Sequence, residues 1–385
     1  MTGPYTPPTV HPPHATPEGV SRPAVAPPLA AEGLAFIQPS VRQQPGYVLA
    51  APPARRKLNQ NESPFDFPPE LKRQIVETIT SQPWQRYPEF SPADLRASLA
   101  SYYGWISEGI LTGNGSNELI QAVLSVTLGA GDTLVAPSPT FSLYRLLTSV
   151  NGGRYVPAPL DENFAFDVDR VIDVARRERA RVIVLNSPNN PTGSALADGA
   201  VERVLAETES FIVCDEAYQD FGGPTALPLL RQTSRLVVLR TFSKAFGLAG
   251  LRFGVALAHP AVAQEISKGK LPYNVKLVTL AAARTALHHA PMLAARTKEV
   301  IETRDRFMAA LRRVPGLTVY PSAANFVLFR CRSLPASDLF HRLLSDYGIL
   351  VRDLSGSAEL ADCLRVSIGT DEDMEAVLAA IQEIL

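Results

Sequence analysis

Between residues 110 and 257 the chain repeatedly gathers short apolar, largely β-branched runs that do not alternate with polar residues. Ile110-Leu111, Leu134-Val135-Ala136, Val182-Ile183-Val184-Leu185, Phe211-Ile212-Val213-Cys214, Leu236-Val237-Val238-Leu239 and Phe253-Gly254-Val255-Ala256-Leu257 each fit a strand buried on both faces, as strands of a parallel sheet are. Helix-like segments lie between them. One, from Pro69 to about Thr80, sets Leu71, Ile75 and Ile79 on a single face and carries Glu70 in its first turn. Strand and helix in alternation predict an α/β fold over about 66–270, a doubly wound, mainly parallel sheet. The pattern then changes. A long amphipathic helix from about Met292 to Arg313 leads to Val319-Tyr320, a strand around Asn325 to Arg330 and a helix near Ala336 to Tyr347. Strands at Ile349-Leu350-Val351 and Cys363 to Ile368 and a closing helix from Asp371 complete a smaller α+β domain. The expected division is a Pro-rich disordered tail over 1–50, an amino-terminal arm over 51–65, a large domain over 66–274 and a small carboxy-terminal domain over 275–385.

Composition sharpens this picture. A chain of 385 residues with 46% hydrophobic and 19% charged content is long enough for two domains around a sizeable core. A net charge of −1 gives no field that would attract nucleic acid or an anionic membrane, so any anion it binds must be held locally. No apolar run reaches the roughly 18 residues needed to span a bilayer. Cys214, Cys331 and Cys363 stand far apart, without a CxxC pair or a histidine at zinc-ligand spacing, so no metal site is expected and the thiols read as reduced core residues of a cytoplasmic protein. The first 50 residues are dense in proline and poor in apolar periodicity; they cannot bury enough surface to offset their ordering entropy.

Candidate chemistry collects at the predicted strand ends. Lys244 follows the run Leu236 to Leu239, at the edge where open α/β sheets build ligand sites. Thr241 and Ser243 stand before it and Arg252 after it: an amine able to condense with an aldehyde, with hydroxyls and a guanidinium able to hold a phosphate. Gly113-Asn114-Gly115-Ser116-Asn117 turns from strand into helix, where free amides and the helix dipole favour an anion or Ser116 simply caps the helix; the spacing is not GxGxxG. Asn186 to Gly193 is a turn fixed by Asn, Pro and Gly whose asparagines can donate to a ligand oxygen. Asp215 ends another strand, either as a helix cap or as a carboxylate that needs a cation beside it. Arg352 and Arg365 lie at and within strands of the smaller domain, where a guanidinium calls for an ion pair or an anionic ligand.

Ser243-Lys244-Ala245-Phe246 with Gly250-Leu251-Arg252, Asn189-Asn190-Pro191-Thr192-Gly193 and Asp215-Glu216-Ala217-Tyr218 resemble the motifs of fold-type I pyridoxal-phosphate aminotransferases, in particular the histidinol-phosphate aminotransferase group, over roughly residues 55–385. The resemblance implies that Lys244 is the catalytic lysine that binds pyridoxal 5′-phosphate. It implies that Asp215 pairs with the ring nitrogen, that Asn190 and Tyr218 meet the phenolic oxygen, and that Phe141 stacks on the ring. Ser116, Asn117, Thr241, Ser243 and Arg252 would hold the cofactor phosphate, joined by Tyr87 from the other subunit of a homodimer. Leu58 to Pro64 would be an arm passing near the site. Arg365 and Arg352 would bind the anionic end of the substrate. The activity so implied converts L-histidinol phosphate and 2-oxoglutarate to imidazole acetol phosphate and L-glutamate. An aromatic amino acid aminotransferase and a phosphothreonine decarboxylase carry similar motifs and stand as alternatives.

Overall fold

The computed structural model describes residues 33–44 and 52–385. Within residues 1–45 the described part carries one turn of helix, Pro39–Arg42. The disordered tail expected over 1–50 otherwise lies outside the described residues.

The described residues from 52 to 385 belong to one compact unit. Its main sheet has seven strands: β2 (Ile110–Asn114), β3 (Thr133–Ser138), β4 (Arg154–Pro159), β5 (Val182–Asn186), β6 (Phe211–Asp215), β7 (Leu236–Thr241) and β8 (Phe253–Ala258), after a short β1 (Arg56–Lys57) in the arm. They lie in the order β2-β8-β7-β6-β5-β3-β4. Every residue of β3, β5, β7 and β8 is buried, which is why their sequences run apolar without alternation. β4 is at the edge and is mostly exposed or half-buried.

The strand that follows the lysine segment departs from the expectation of another parallel run. β8 pairs antiparallel with both β7 and β2. The connection from β7, residues 242–252, holds only a 3₁₀ turn at Ala249–Leu251 and not the helix that usually carries a parallel crossover. The sheet therefore keeps its mainly parallel character, with one strand reversed.

The second sheet is antiparallel and contains β9 (Leu317–Val319), β10 (Phe326–Cys331), β12 (Arg352–Asp353) and β13 (Cys363–Ser367) in the order β12-β13-β10-β9. The strand expected over Ile349 to Val351 is split. Ile349–Leu350, β11, pairs in parallel with β1 of the arm, and the chain then turns so that Arg352–Asp353 joins the four-stranded sheet. The long helix is observed over Ala290–Leu311, directly after a helix at Leu277–His288 that the sequence pattern did not reveal. Among the described residues no helix is long and apolar enough to cross a membrane. Cys214, Cys331 and Cys363 are buried free thiols.

Candidate active site

The strands β3, β5, β6 and β7 run parallel, so Ser138, Asn186, Asp215 and Thr241 end at one edge of the sheet. β2 has the same sense because β8 is antiparallel to it and to β7, and its end at Asn114 delivers Gly115 and the helix Ser116–Thr127 to that edge. Ligand sites of open α/β sheets form at this edge because loops and helix N-termini converge there.

Gly115 has φ +81°, and a Cβ on it would stand 2.5 Å from Nη2 of Arg252. A Cβ on Gly254 would stand 2.4 Å from the amide nitrogen of Ser116. The two glycines are what let β8 and Arg252 lie against the start of the helix. Arg252 itself adopts the left-handed region, φ 54°, and donates to Ser243 Oγ at 3.1 Å and to the Ala249 carbonyl at 3.3 Å. Thr241 Oγ1 accepts from the Ser243 amide at 3.2 Å. Arg252, Ser243 and the helix start at Ser116 thus form one cradle of donors with net positive character, the chemistry a phosphate monoester requires. Thr241 is a buried support of that cradle, and Asn117 is exposed in the first helical turn.

Lys244 follows the cradle. Its Nζ donates to the Gln60 carbonyl at 3.0 Å and lies 5.6 Å from the centre of the Tyr218 ring. Burial, with the Arg365 charge next in weight, lowers its pKa from 10.5 to about 7. A substantial fraction is therefore the free amine, the nucleophilic form, near neutrality.

Asp215 is 3% exposed. Its Oδ2 accepts from the Tyr144 hydroxyl at 2.7 Å and its Oδ1 from the Ala217 amide at 3.1 Å. Burial pushes this carboxyl up, and the two donors only partly oppose it. No cation pairs with it among the described residues. Such a group is suited to a ligand that brings its own positive charge. Phe141 lies at the start of the same segment, edge-on to Tyr144 at 5.7 Å between ring centres.

Asn190 lies just past β5, and its Oδ1 accepts from Nη1 of Arg365, which leaves the amide nitrogen to donate. Arg365 Nη2 also donates to the Asn59 carbonyl at 2.9 Å. Arg352 is directly opposite Arg365 in the register of β12 and β13 and is half-buried. Tyr87 stands apart in character: it is 81% exposed, stacked on Tyr273 at 4.6 Å, with Phe90 against the same ring.

Sequence reasoning missed Tyr144 and the individual roles of the arm. Three consecutive arm residues meet the site: Asn59 accepts from Arg365, Gln60 from Lys244, and Asn61 Nδ2 donates to the Tyr218 hydroxyl at 3.0 Å. Polar residues after Leu58 were the one sequence signal, and a polar loop gives the same signal.

The profile of the family described as Aminotransferase class I and II matches residues 56–381. The chain is 36% identical, over 86% of its own length and 94% of the relative's, to the histidinol-phosphate aminotransferase of Chlorobaculum tepidum. The structure is similar to that of histidinol-phosphate aminotransferase from Sinorhizobium meliloti in complex with pyridoxal-5′-phosphate, with TM-score 0.81 and 28% identity over 91% of this chain and 97% of that one. It also shares its fold with an L-threonine-O-3-phosphate decarboxylase from Porphyromonas gingivalis, TM-score 0.72 at 22% identity, over 86% of this chain and 99% of that one.

Proposed function

We propose, from the premise that the chain belongs to the class I and II aminotransferase family, that it is a pyridoxal-phosphate enzyme transferring the amino group of L-histidinol phosphate to 2-oxoglutarate. The products are imidazole acetol phosphate and L-glutamate. The observation that carries the substrate is the placement of Arg352 opposite Arg365 on neighbouring strands: two guanidinium groups suit a phosphate dianion better than a single carboxylate. The same pair accepts the carboxylate of the acceptor in the second half of the exchange.

The residues fit the cofactor. Ser116, Asn117, Thr241, Ser243 and Arg252 would hold its phosphate, Asp215 its ring nitrogen, Asn190 and Tyr218 its phenolic oxygen, and Phe141 would cover a ring face. When bound, the cofactor supplies an electron-withdrawing ring that takes up the electron pair left when the substrate Cα–H bond breaks. Lys244 would hold the aldehyde and, once freed by the substrate amine, would take the proton from the substrate α carbon and deliver it to the C4′ carbon of the cofactor; a pKa near 7 suits it to accept and return that proton. Asp215, once paired with a protonated ring nitrogen, loses the disadvantage of its burial and keeps the ring cationic.

A second subunit belongs to this reading. Tyr87, Trp84, Phe90 and Leu271 are all more than two-thirds exposed, a surface that a copy of the chain would cover while Tyr87 of the partner subunit reaches the phosphate cradle. The reading also keeps the large cofactor domain at 66–274 and the small domain at 275–385, in a cytoplasmic enzyme.

The test is turnover of histidinol phosphate and phenylalanine side by side, with 2-oxoglutarate as acceptor. A clear preference for histidinol phosphate is expected. A preference for phenylalanine would replace the substrate assignment, and release of carbon dioxide from phosphothreonine without glutamate would replace the reaction.

A further inference from the structure

Asn61 sits in the arm with φ 56°, in the left-handed region that asparagine enters more readily than most residues. It is 1% exposed. Ser367 Oγ, at the end of β13, accepts the Asn61 backbone N–H at 2.7 Å. The serine's own hydrogen is then available to Asn61 Oδ1, 3.2 Å away. From the turn just before β10, Asn325 Nδ2 donates to the Asn61 carbonyl at 3.0 Å. These bonds fix which end of the amide faces which way: Oδ1 looks to Ser367, and Nδ2 looks to the Tyr218 hydroxyl at 3.0 Å.

An amide nitrogen has no acceptor capacity, so Tyr218 is the acceptor in that bond. A phenol carries one hydrogen, and here it is directed away from Asn61. We propose that Asn61 is a positioning residue that turns the Tyr218 hydroxyl hydrogen toward the ligand cleft beside Lys244, where it donates to the phenolic oxygen of the cofactor. This rests on the cofactor reading above and adds to it a residue of the arm. It also gives the arm a reason to be polar and buried: Asn61 transmits the position of Ser367, at the end of β13, and Asn325, just before β10, to Tyr218, which follows β6 of the main sheet.

The isosteric change Asn61→Asp reverses the polarity of the bond without altering its shape. A carboxylate accepts where the amide donated, so the Tyr218 hydrogen turns toward residue 61 and the phenolic oxygen loses its donor. A donor to that oxygen stabilises its anionic form, and its loss raises the proton affinity of the cofactor-bound lysine nitrogen. The readout is the pH midpoint of the visible absorbance of the holoprotein. Asn61→Asp is expected to raise the midpoint by roughly one pH unit, and Tyr218→Phe to raise it by a similar amount. The double variant should go no further than Tyr218→Phe, because both changes remove the same bond. If Asn61→Asp does not fold, Asn61→Leu removes the donor without adding charge and is expected to raise the midpoint by less. A folded variant of either kind with the parent midpoint, or a double variant in which the two shifts add, would overturn the role of Asn61. Failure of the parent itself to develop a visible band with pyridoxal phosphate would instead overturn the cofactor reading.

Discussion

Asp215 and Glu216 are neighbours at the end of β6, each 3% exposed, and their surroundings differ in one respect. Glu216 is matched within the chain. Arg240 Nη2 stands 2.7 Å from its Oε2, the Thr225 hydroxyl donates at 2.8 Å and the Ala226 amide at 2.6 Å. Asp215 receives only neutral donors, Tyr144 and the Ala217 amide. Burial raises both carboxyls, but for Glu216 the Arg240 charge is the first opposing influence, whereas for Asp215 it is a tyrosine hydroxyl. The difference teaches that an acid completed by its own chain is structural, and that an equally buried acid left without a cation marks where a ligand brings one.

The comparison is broken most severely by exchanging the two acids for amides in turn. Asp215→Asn should cut turnover by at least about a hundredfold while leaving the thermal midpoint of the cofactor-free protein unchanged or raised, because a buried charge without a partner is removed. Glu216→Gln should do the reverse. It leaves Arg240 with Asp220, 3.5 Å away, as its remaining carboxylate partner and should cost about 1–3 kcal/mol of stability in denaturant unfolding, with turnover per folded molecule close to the parent's. Loss of activity and stability together in both variants would erase the distinction.

Smaller effects sharpen it. Arg352→Ala should raise KM for histidinol phosphate roughly ten- to a hundredfold and disturb the cofactor spectrum little, since Arg352 is assigned to the substrate. Tyr144→Phe removes one of the two donors to Asp215 and should lower turnover by about tenfold, less than Asp215→Asn. The remaining effect is on stability against pH. Lys244 has a pKa lowered from 10.5 to about 7, so between those values the unfolded chain binds a proton that the folded chain does not. Stability of the cofactor-free protein should therefore rise with pH across that window, with the burial cost of the charged amine fully present below pH about 7. In Lys244→Met this contribution to the slope should be absent, as paired thermal melts would reveal.

The strands of the main sheet were legible because burial on both faces writes itself as unbroken apolar runs. Direction was less so: β8 has the composition of its parallel neighbours, and what goes with its reversal is a connection from β7 without a crossover helix, a matter of connection and not of residue type. The helix Leu277–His288 was hidden for a related reason. Its buried residues include Thr279, Leu280, Ala281, Ala282, Ala283, Thr285 and Ala286, so it shows no apolar stripe for a periodicity argument to find. At the site, the lysine segment and the Asn-Pro-Thr-Gly turn stood out by their density of special residues. Asp215 was singled out at its strand end, but what sets it apart from Glu216 in the fold is Arg240 from the next strand. Tyr144 had no sequence signal to set it apart, and Asn61 was one polar residue of the arm; the hydrogen bonds that distinguish them join segments far apart in sequence.

The central claim is that the amine of Lys244 and the carboxylate of Asp215 hold one aldehyde cofactor between them. It is tested most directly by adding pyridoxal 5′-phosphate and then histidinol phosphate to the purified protein and to Lys244→Ala while the visible spectrum is followed. The parent should develop a visible band that histidinol phosphate discharges and 2-oxoglutarate restores, and Lys244→Ala should show neither the band nor the exchange. A Lys244→Ala protein that still formed the band and turned over would contradict the claim, as would a parent whose band histidinol phosphate left untouched.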